Sequence, residues 1–101
     1  MPAHSNHLTF IFDPGHGWLK VPLAEIVALG IEEQITPYSF IKGDFAYLEE
    51  DVDCPFYLES RAAQGIPRPE ITEQYVDRFV RPPLAFGDSS LDTAFWESWR
   101  R

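Results

Sequence analysis

The stretch from Tyr38 to Asp53, YSFIKGDFAYLEEDVD, limits the folds open to this chain more than any other segment. Aromatic residues that favour strands flank Lys42-Gly43-Asp44, and Gly43 can adopt the positive φ of a tight turn. The pattern therefore predicts a β-hairpin. Four carboxylates follow its second strand without a linker: Glu49, Glu50, Asp51 and Asp53. We expect the hairpin to hold these carboxylates together at one edge of a sheet.

The other patterns predict further strands and helices. Strands are predicted at residues 8–12, 18–21 and 71–76, and helices at residues 22–30 and 53–64. Asp53 is the expected N-cap of the second helix. Ile11 lies on the opposite strand face from Leu8 and Phe12, which predicts a strand covered on both sides for part of its length.

These elements together predict an α+β fold. We expect an antiparallel sheet of four to five strands in a ββαββα-like order, with two short helices on one face. At 101 residues the chain should be a single domain. Residues 1–6 are expected to be flexible, residues 7–76 to form the α+β core, and residues 77–101 to form a Pro-rich linker and an aromatic C-terminal segment.

The charge is concentrated in one part of the chain. The net charge is −8, and residues 25–59 hold nine acidic residues against Lys42 alone. Such a field repels nucleic acid and anionic membranes and attracts basic surfaces. We therefore expect a protein partner with a basic surface, and no direct contact with nucleic acid or membrane. The simpler alternative is that this charge only keeps a small domain soluble.

Cysteine content and hydropathy favour the cytoplasm. Cys54 is the single cysteine, which excludes an internal disulfide and fits a reducing compartment. The N-terminus shows no cationic region followed by an apolar run, and no apolar segment approaches the ~20 residues of a membrane helix. We expect a cytoplasmic protein.

The C-terminal segment is rich in large apolar side chains. Leu91, Phe95 and Trp99 recur at helical spacing, with Trp96 alongside. Groups of this size need burial. We expect the helix to dock on its own domain. The alternative is that it anchors a partner, which includes a second copy of the chain in a homodimer.

The segment FIFDPGHG, Phe10 to Gly17, resembles the opening strand and turn of zinc-dependent N-acetylmuramoyl-L-alanine amidases, in which the histidine binds the metal. The resemblance implies a hydrolase centred on Asp13 and His16. Here Trp18 replaces the next glycine, and no histidine follows His16 to complete a set of three protein ligands. We therefore expect a structural turn with His16 at its tip.

Two other residue patterns resemble metal-binding sites, but a site without a metal explains each of them better. His4 and His7 lie in a terminal segment, and only Glu25 could join them. The acidic run lacks the glycine and the alternating oxygen ligands of an EF-hand loop. We expect no metal, no cofactor and no catalytic residue.

A longer pattern, F-x-F-D-x-G-H-G-W-L-x-V followed by L-G-I, Y-S-F-x-x-G-D (with an aromatic residue at the third position) and Y-L-E-E-D-x-D, lies within residues 8–64. It resembles a family of small proteins found in phages, prophages and plasmids of proteobacteria. The resemblance implies a mobile-element protein in a bacterial host cell, where small acidic proteins of the anti-CRISPR or anti-restriction type block host machinery.

The sequence therefore predicts an accessory protein that acts by binding, and most directly an inhibitor of a host defence or nucleic-acid-handling complex. The predicted contact residues are the acidic run and three aromatic anchors: Glu49, Glu50, Asp51, Asp53, Trp18, Trp96 and Trp99. A metal-dependent hydrolase and a self-associating structural module are the alternatives.

Overall fold

The computed structural model of the protein describes residues 4–80 and 84–100. The predicted α+β class is confirmed, with five strands and three helices in these residues. In chain order they are β1 (His7–Phe12), β2 (Gly17–Pro22), α1 (Leu23–Leu29), β3 (Phe40–Lys42), β4 (Phe45–Glu49), α2 (Asp53–Ala63), β5 (Glu70–Tyr75) and α3 (Thr93–Trp99). No helix within the described ranges is long and apolar enough to cross a membrane.

The five strands form one sheet in the order β3-β4-β2-β1-β5. The first four pair antiparallel, as predicted, whereas β5 pairs parallel to β1. The sheet is therefore mixed, and the prediction of a purely antiparallel sheet was wrong. The cause is α2, because a helical crossover returns the chain to the end of the sheet from which β4 began. The next strand must then run in the same direction as β4 and β1.

The main core lies between the sheet and the helices. Alternate side chains of β2 and β4, such as Leu19, Val21 and Leu48, pack with Leu23 and Ile26 of α1. All five of these side chains are fully buried. Period-2 alternation in the strands and helical spacing in α1 bring the two apolar faces together.

The opposite face of the sheet is also apolar, as the position of Ile11 predicted. At its centre the ring of Phe40 stacks on Tyr47 and contacts Trp18 edge to face. Phe79 covers them, and its ring centroid lies 5.6 Å, 5.5 Å and 5.0 Å from those of the three rings in that order.

The segment that carries Phe79, residues 76–80, is called the strap here. Hydrogen bonds attach it to the first hairpin: Val76 N–H donates to the Phe12 carbonyl at 2.9 Å, and Phe79 N–H donates to Asp13 Oδ2 at 3.1 Å. Residues 81–83 of the predicted Pro-rich linker lie outside the described residues.

Residues 84–86 cover the outer edge of β3. Ile41 N–H donates to the Leu84 carbonyl, and Phe86 N–H donates to the Ser39 carbonyl. Farther along the chain, α3 packs against α1 and buries Trp96 beside Phe86, with ring centroids 6.0 Å apart. The aromatic C-terminal segment therefore docks on its own domain, which was the favoured expectation.

A buried polar network holds the start of the chain. Tyr57 donates a hydrogen bond to Glu25 Oε2 at 3.2 Å and accepts one from Arg61 at 3.0 Å. Arg61 also donates to the carbonyls of Ser5 and Pro67, and Ser5 N–H donates to Glu25. Residues 5 and 6, which were expected to be flexible, are thus held beside β5. Burial raises the pKa of Tyr57 to about 12.

Gly17 is required where β2 begins, because the ring of Phe10 lies against its α-carbon. A β-carbon at this position would lie 2.3 Å from Phe10 Cζ. Gly17→Ala should therefore lower the free energy of unfolding by about 1–3 kcal/mol in a urea titration. Gly15→Ala is the control, since a β-carbon there would lie no closer than 3.8 Å to its nearest neighbour. Equal stability of the two variants would contradict this packing.

Candidate functional site

The turn between β1 and β2 is built around Asp13. Its Oδ1 accepts hydrogen bonds from the N–H groups of Gly15 at 2.9 Å and His16 at 2.8 Å, and Asp13 N–H donates to the His16 carbonyl. The hydrogen bonds from Phe79 and Gly15 hold the pKa of Asp13 below its usual value. Both carboxylate oxygens are thus occupied by backbone donors, which is the role of a turn residue, as the sequence predicted.

His16 lies at the tip of this turn, with its side chain 73% exposed. Its ring stacks on Trp18 at a centroid separation of 5.5 Å and an interplanar angle of 25°. Asp13 Oδ1 lies 3.9 Å from His16 Nδ1. The described residues contain no group of three histidine, cysteine, aspartate or glutamate side chains arranged to hold a metal ion.

Glu49 ends β4 and holds the segment that leads into α2. Its Oε1 accepts hydrogen bonds from the N–H groups of Val52 at 2.5 Å and Asp53 at 2.6 Å, and its Oε2 accepts one from Asp51 N–H at 2.8 Å. The N–H groups of Val52 and Asp53 are among those that a helix start leaves without intrahelical partners. The N-cap position is Val52 and Asp53 is the first residue of the helix, so the prediction of Asp53 as the N-cap was wrong.

Asp53 points into the protein and is fully buried. Its carboxylate accepts hydrogen bonds from the Thr36 N–H, the Thr36 hydroxyl and the Ser39 hydroxyl. The Ser39 hydroxyl oxygen in turn accepts a hydrogen bond from Glu49 N–H at 2.9 Å. Asp53 therefore fastens α2 to the loop before β3. The prediction that it belongs to an exposed acidic edge was wrong, because its charge is satisfied by these internal donors.

Glu50 and Asp51 remain at the surface. Both residues are exposed, and within the described part of the chain neither carboxylate accepts a hydrogen bond or forms an ion pair. The exposed side chain of Tyr38 lies at the same corner, because Asp53 fastens the loop before β3 to the start of α2. Tyr38 is 71% exposed.

A cavity of about 390 Å³ opens at this corner. We call it the notch. It brings together the tip of the first turn, the aromatic floor and the acidic run, with these lining residues: Gly15, His16, Gly17, Trp18, Tyr38, Glu49, Glu50 and Asp51. Trp18 and Glu49 are directly paired across β2 and β4, which explains why two segments distant in sequence meet here.

The three predicted aromatic anchors are not exposed. Trp18 and Trp96 are only 5% and 6% exposed, and Trp99 is half-buried against the main core. Trp18 contributes to the notch as its floor, whereas Trp96 and Trp99 lie in the docked C-terminal helix. The exposed aromatic side chain at the acidic corner is Tyr38. The sequence pattern placed Tyr38 in the central hairpin. In the structure β3 begins at Phe40, so Tyr38 lies in the loop between Pro37 and the first paired residue.

Cys54 follows the acidic run and is half-buried. Burial raises the pKa of its thiol to about 11, and the nearby charges of Glu49 and Glu50 act in the same direction. A thiol with this pKa is protonated at neutral pH and is a poor nucleophile.

A scan against protein-family models and searches of curated proteins and solved structures found no match for this chain.

Asp53→Asn tests whether the buried carboxylate is a structural tie. The amide keeps the shape but loses the charge that three donors contact, so we expect the free energy of unfolding to fall by about 2 kcal/mol in a urea titration. Asp51→Asn removes the same charge from an exposed neighbour and should change stability by less than about 0.5 kcal/mol. Similar values for both variants would place Asp53 at the surface.

The thiol of Cys54 should resist alkylation. At pH 8 a group with a pKa of about 11 is almost entirely protonated, so iodoacetamide should modify the folded protein at least about a hundredfold more slowly than the urea-unfolded chain. Mass spectrometry over a time course measures both rates. Equal rates would show that the thiol is neither buried nor electrostatically disfavoured as a thiolate.

Proposed function

We propose that this chain is a binding protein that uses the notch and its acidic rim to cover a basic surface on a protein partner. The observation that carries the proposal is the arrangement of Glu50 and Asp51. Neither carboxylate has a hydrogen-bond or ion-pair partner among the described residues, and both residues line the notch together with the exposed Tyr38. Tyrosine is enriched at protein interfaces, and carboxylates at a polar interface rim favour a partner of opposite charge.

The backbone that carries these charges is fixed before any partner arrives. Glu49 binds three successive N–H groups of the segment, and Asp53 joins that segment to the loop that holds Tyr38. Little conformational entropy is then lost on binding, which favours affinity. The working charge is smaller than the sequence suggested, since two of the four predicted carboxylates serve the fold.

Arginine is the partner side chain that this corner suits best. A guanidinium group donates several hydrogen bonds to carboxylates in a planar geometry, and it can stack on an aromatic ring such as that of Tyr38. His16 extends the same rim with an exposed ring. A standard interface buries about 800 Å² per partner, which is roughly an eighth of the 6178 Å² surface of this chain. The partner would therefore cover the neighbouring turn as well as the notch.

Basic surfaces of this kind usually contact nucleic-acid phosphates. By occupying the same arginines, the chain would compete with nucleic acid for its partner. We propose that the partner is a host defence or nucleic-acid-handling complex in the bacterial cytoplasm. The resemblance of residues 8–64 to small phage, prophage and plasmid proteins supports this setting.

Charge reversal at the rim tests the proposal. The double variant Glu50→Lys, Asp51→Lys should bind its partner at least about a hundredfold more weakly, because repulsion replaces attraction at both positions. The wild-type chain and the variant are used as bait in lysates of a bacterial host, and a protein retained only by the wild type is purified for titration. Affinity should also fall as salt is raised, and the wild-type chain should displace DNA or RNA from that protein.

The matched control is Asp44→Lys, Glu59→Lys, which makes the same change in net charge at two exposed positions that do not line the notch; Asp44 lies in the turn between β3 and β4, at the opposite end of β4 from Glu49. It should retain the partner, with an affinity within a few-fold of the wild type. Both double variants should unfold at the same urea concentration as the wild type. If the rim variant binds as tightly as the control variant, the proposed interface is wrong.

A further inference from the structure

A second concave surface shares no lining residue with the notch. It lies between α3 and the loop that follows α1, and its volume is about 570 Å³. We call it the C-terminal groove. One part of its lining is apolar, with Phe86 and Trp96 stacked side by side. The other part is charged and, in the described ranges, sets the carboxylates of Glu32, Glu33 and Asp92 against the guanidinium of Arg100.

Glu32 has one carboxylate oxygen with a partner and one without. Its Oε2 forms an ion pair with Arg100, which links α3 to the loop after α1. Its Oε1 is buried and has no hydrogen-bond partner among the described residues. The residue as a whole is only 6% exposed. A buried anionic oxygen without a donor is strongly unfavourable, so this position calls for a donor from outside the described chain.

The surroundings of Glu32 define the donor that would suit it. Among the described lining residues negative charge exceeds positive charge, which favours a cation. Leu91 is partly exposed and offers apolar contact for an alkyl chain, with the largely buried Trp96 in the same lining. Asp92 is engaged with Phe95 N–H as the N-cap of α3, and Glu33 is exposed, so Glu32 holds the buried acceptor without a partner.

We infer that the C-terminal groove binds a primary alkylammonium group, whose N–H donates to Glu32 Oε1 while its alkyl chain lies against Leu91 and Trp96. An ammonium group is compact and has three donors, so it can reach an oxygen beside the existing Arg100 ion pair. A quaternary ammonium carries the same charge but no N–H. A neutral alcohol of the same length carries a hydroxyl donor but no charge.

The test is a titration of the full-length ¹⁵N-labelled protein, followed by the indole N–H signal of Trp96. The probe is n-butylammonium, and the two comparison compounds are butyltrimethylammonium and n-butanol. We expect saturable binding of n-butylammonium and at least about tenfold weaker binding of both comparison compounds, since each lacks one of the two features. Equal binding of all three compounds would overturn the assignment of Glu32 Oε1 as the acceptor.

Three variants separate a binding site from a purely structural ion pair. Glu32→Gln should weaken n-butylammonium binding at least about tenfold. Arg100→Met also breaks the ion pair but leaves the glutamate charge, so it should strengthen binding several-fold. The control, Glu97→Gln, removes the other contact of Arg100 and should leave affinity within about twofold.

Glu32→Gln and Arg100→Met should change the affinity for n-butylammonium in opposite directions, so the inference can be refuted even if both variants lower stability. If Arg100→Met and Glu32→Gln weaken binding equally, the ion pair only shapes the groove and the inference fails. Absence of any saturable shift with n-butylammonium in the wild type also overturns it.

The same ammonium chemistry occurs in free amines and in lysine side chains of proteins. Nα-acetyl-lysine amide in the same titration distinguishes the two sources. Binding at least as tight as that of n-butylammonium assigns the groove to a polypeptide lysine. Binding of n-butylammonium alone assigns it to a free amine, since the groove then rejects the backbone atoms.

Discussion

Internal carboxylates hold the loops of this protein in place, and the rest of the structure depends on them. Asp13 accepts backbone hydrogen bonds within the first turn and from the strap. Asp53 joins α2 to the loop before β3, and Glu25 holds the start of the chain through Ser5 and Tyr57. Each contact joins segments that the sheet alone would leave unconnected. An ionised acceptor suits this role because it binds several donors at once and makes stronger hydrogen bonds than a neutral one.

The strap shows how such a contact shapes a surface. The second face of the sheet carries Trp18, Phe40 and Tyr47, which would form an exposed apolar patch if nothing covered them. The ring of Phe79 covers these side chains. The hydrogen bond from Phe79 N–H to the Asp13 carboxylate fixes the position of the strap over this face of the sheet. The tip of the first turn and the floor of the notch therefore depend on one aspartate. This is why a D-P-G-H-G segment can be shaped by folding requirements alone, with the histidine left exposed.

The sequence predicted the parts of the fold that local chemistry decides. The central hairpin was predicted correctly because glycine suits a tight turn and the flanking aromatic residues favour strands. In the structure Gly43 has a φ of 60°. The direction of β5 was predicted incorrectly. Four of its six residues are polar, so its sequence indicates no pairing partner, and the parallel pairing with β1 arises from the α2 crossover. Strand direction is decided by contacts between segments far apart in sequence, and a local residue pattern does not predict those contacts.

The candidate site illustrates a sharper limit. Glu49, Glu50, Asp51 and Asp53 form an apparently uniform acidic run, and residue type does not distinguish their roles. The start of α2 separates them, because the chain leaves β4 and turns within a few residues. Glu49 then faces the free N–H groups of the helix, and Asp53 faces the hydroxyls of Thr36 and Ser39. Of the four carboxylates, only those of Glu50 and Asp51 have no hydrogen-bond or ion-pair partner among the described residues and remain available to an outside partner.

This division changes how a charge-reversal experiment on the run should be interpreted. Replacing Glu49 with lysine would leave three backbone N–H groups without their acceptor, and replacing Asp53 with lysine would bury a cation against the donors of Thr36 and Ser39, so loss of binding would follow from loss of structure. Glu50 and Asp51 can be reversed without disturbing any internal contact among the described residues. The acidic run is therefore a rigid support at its ends and an available surface at its centre, and only the centre can report on a partner.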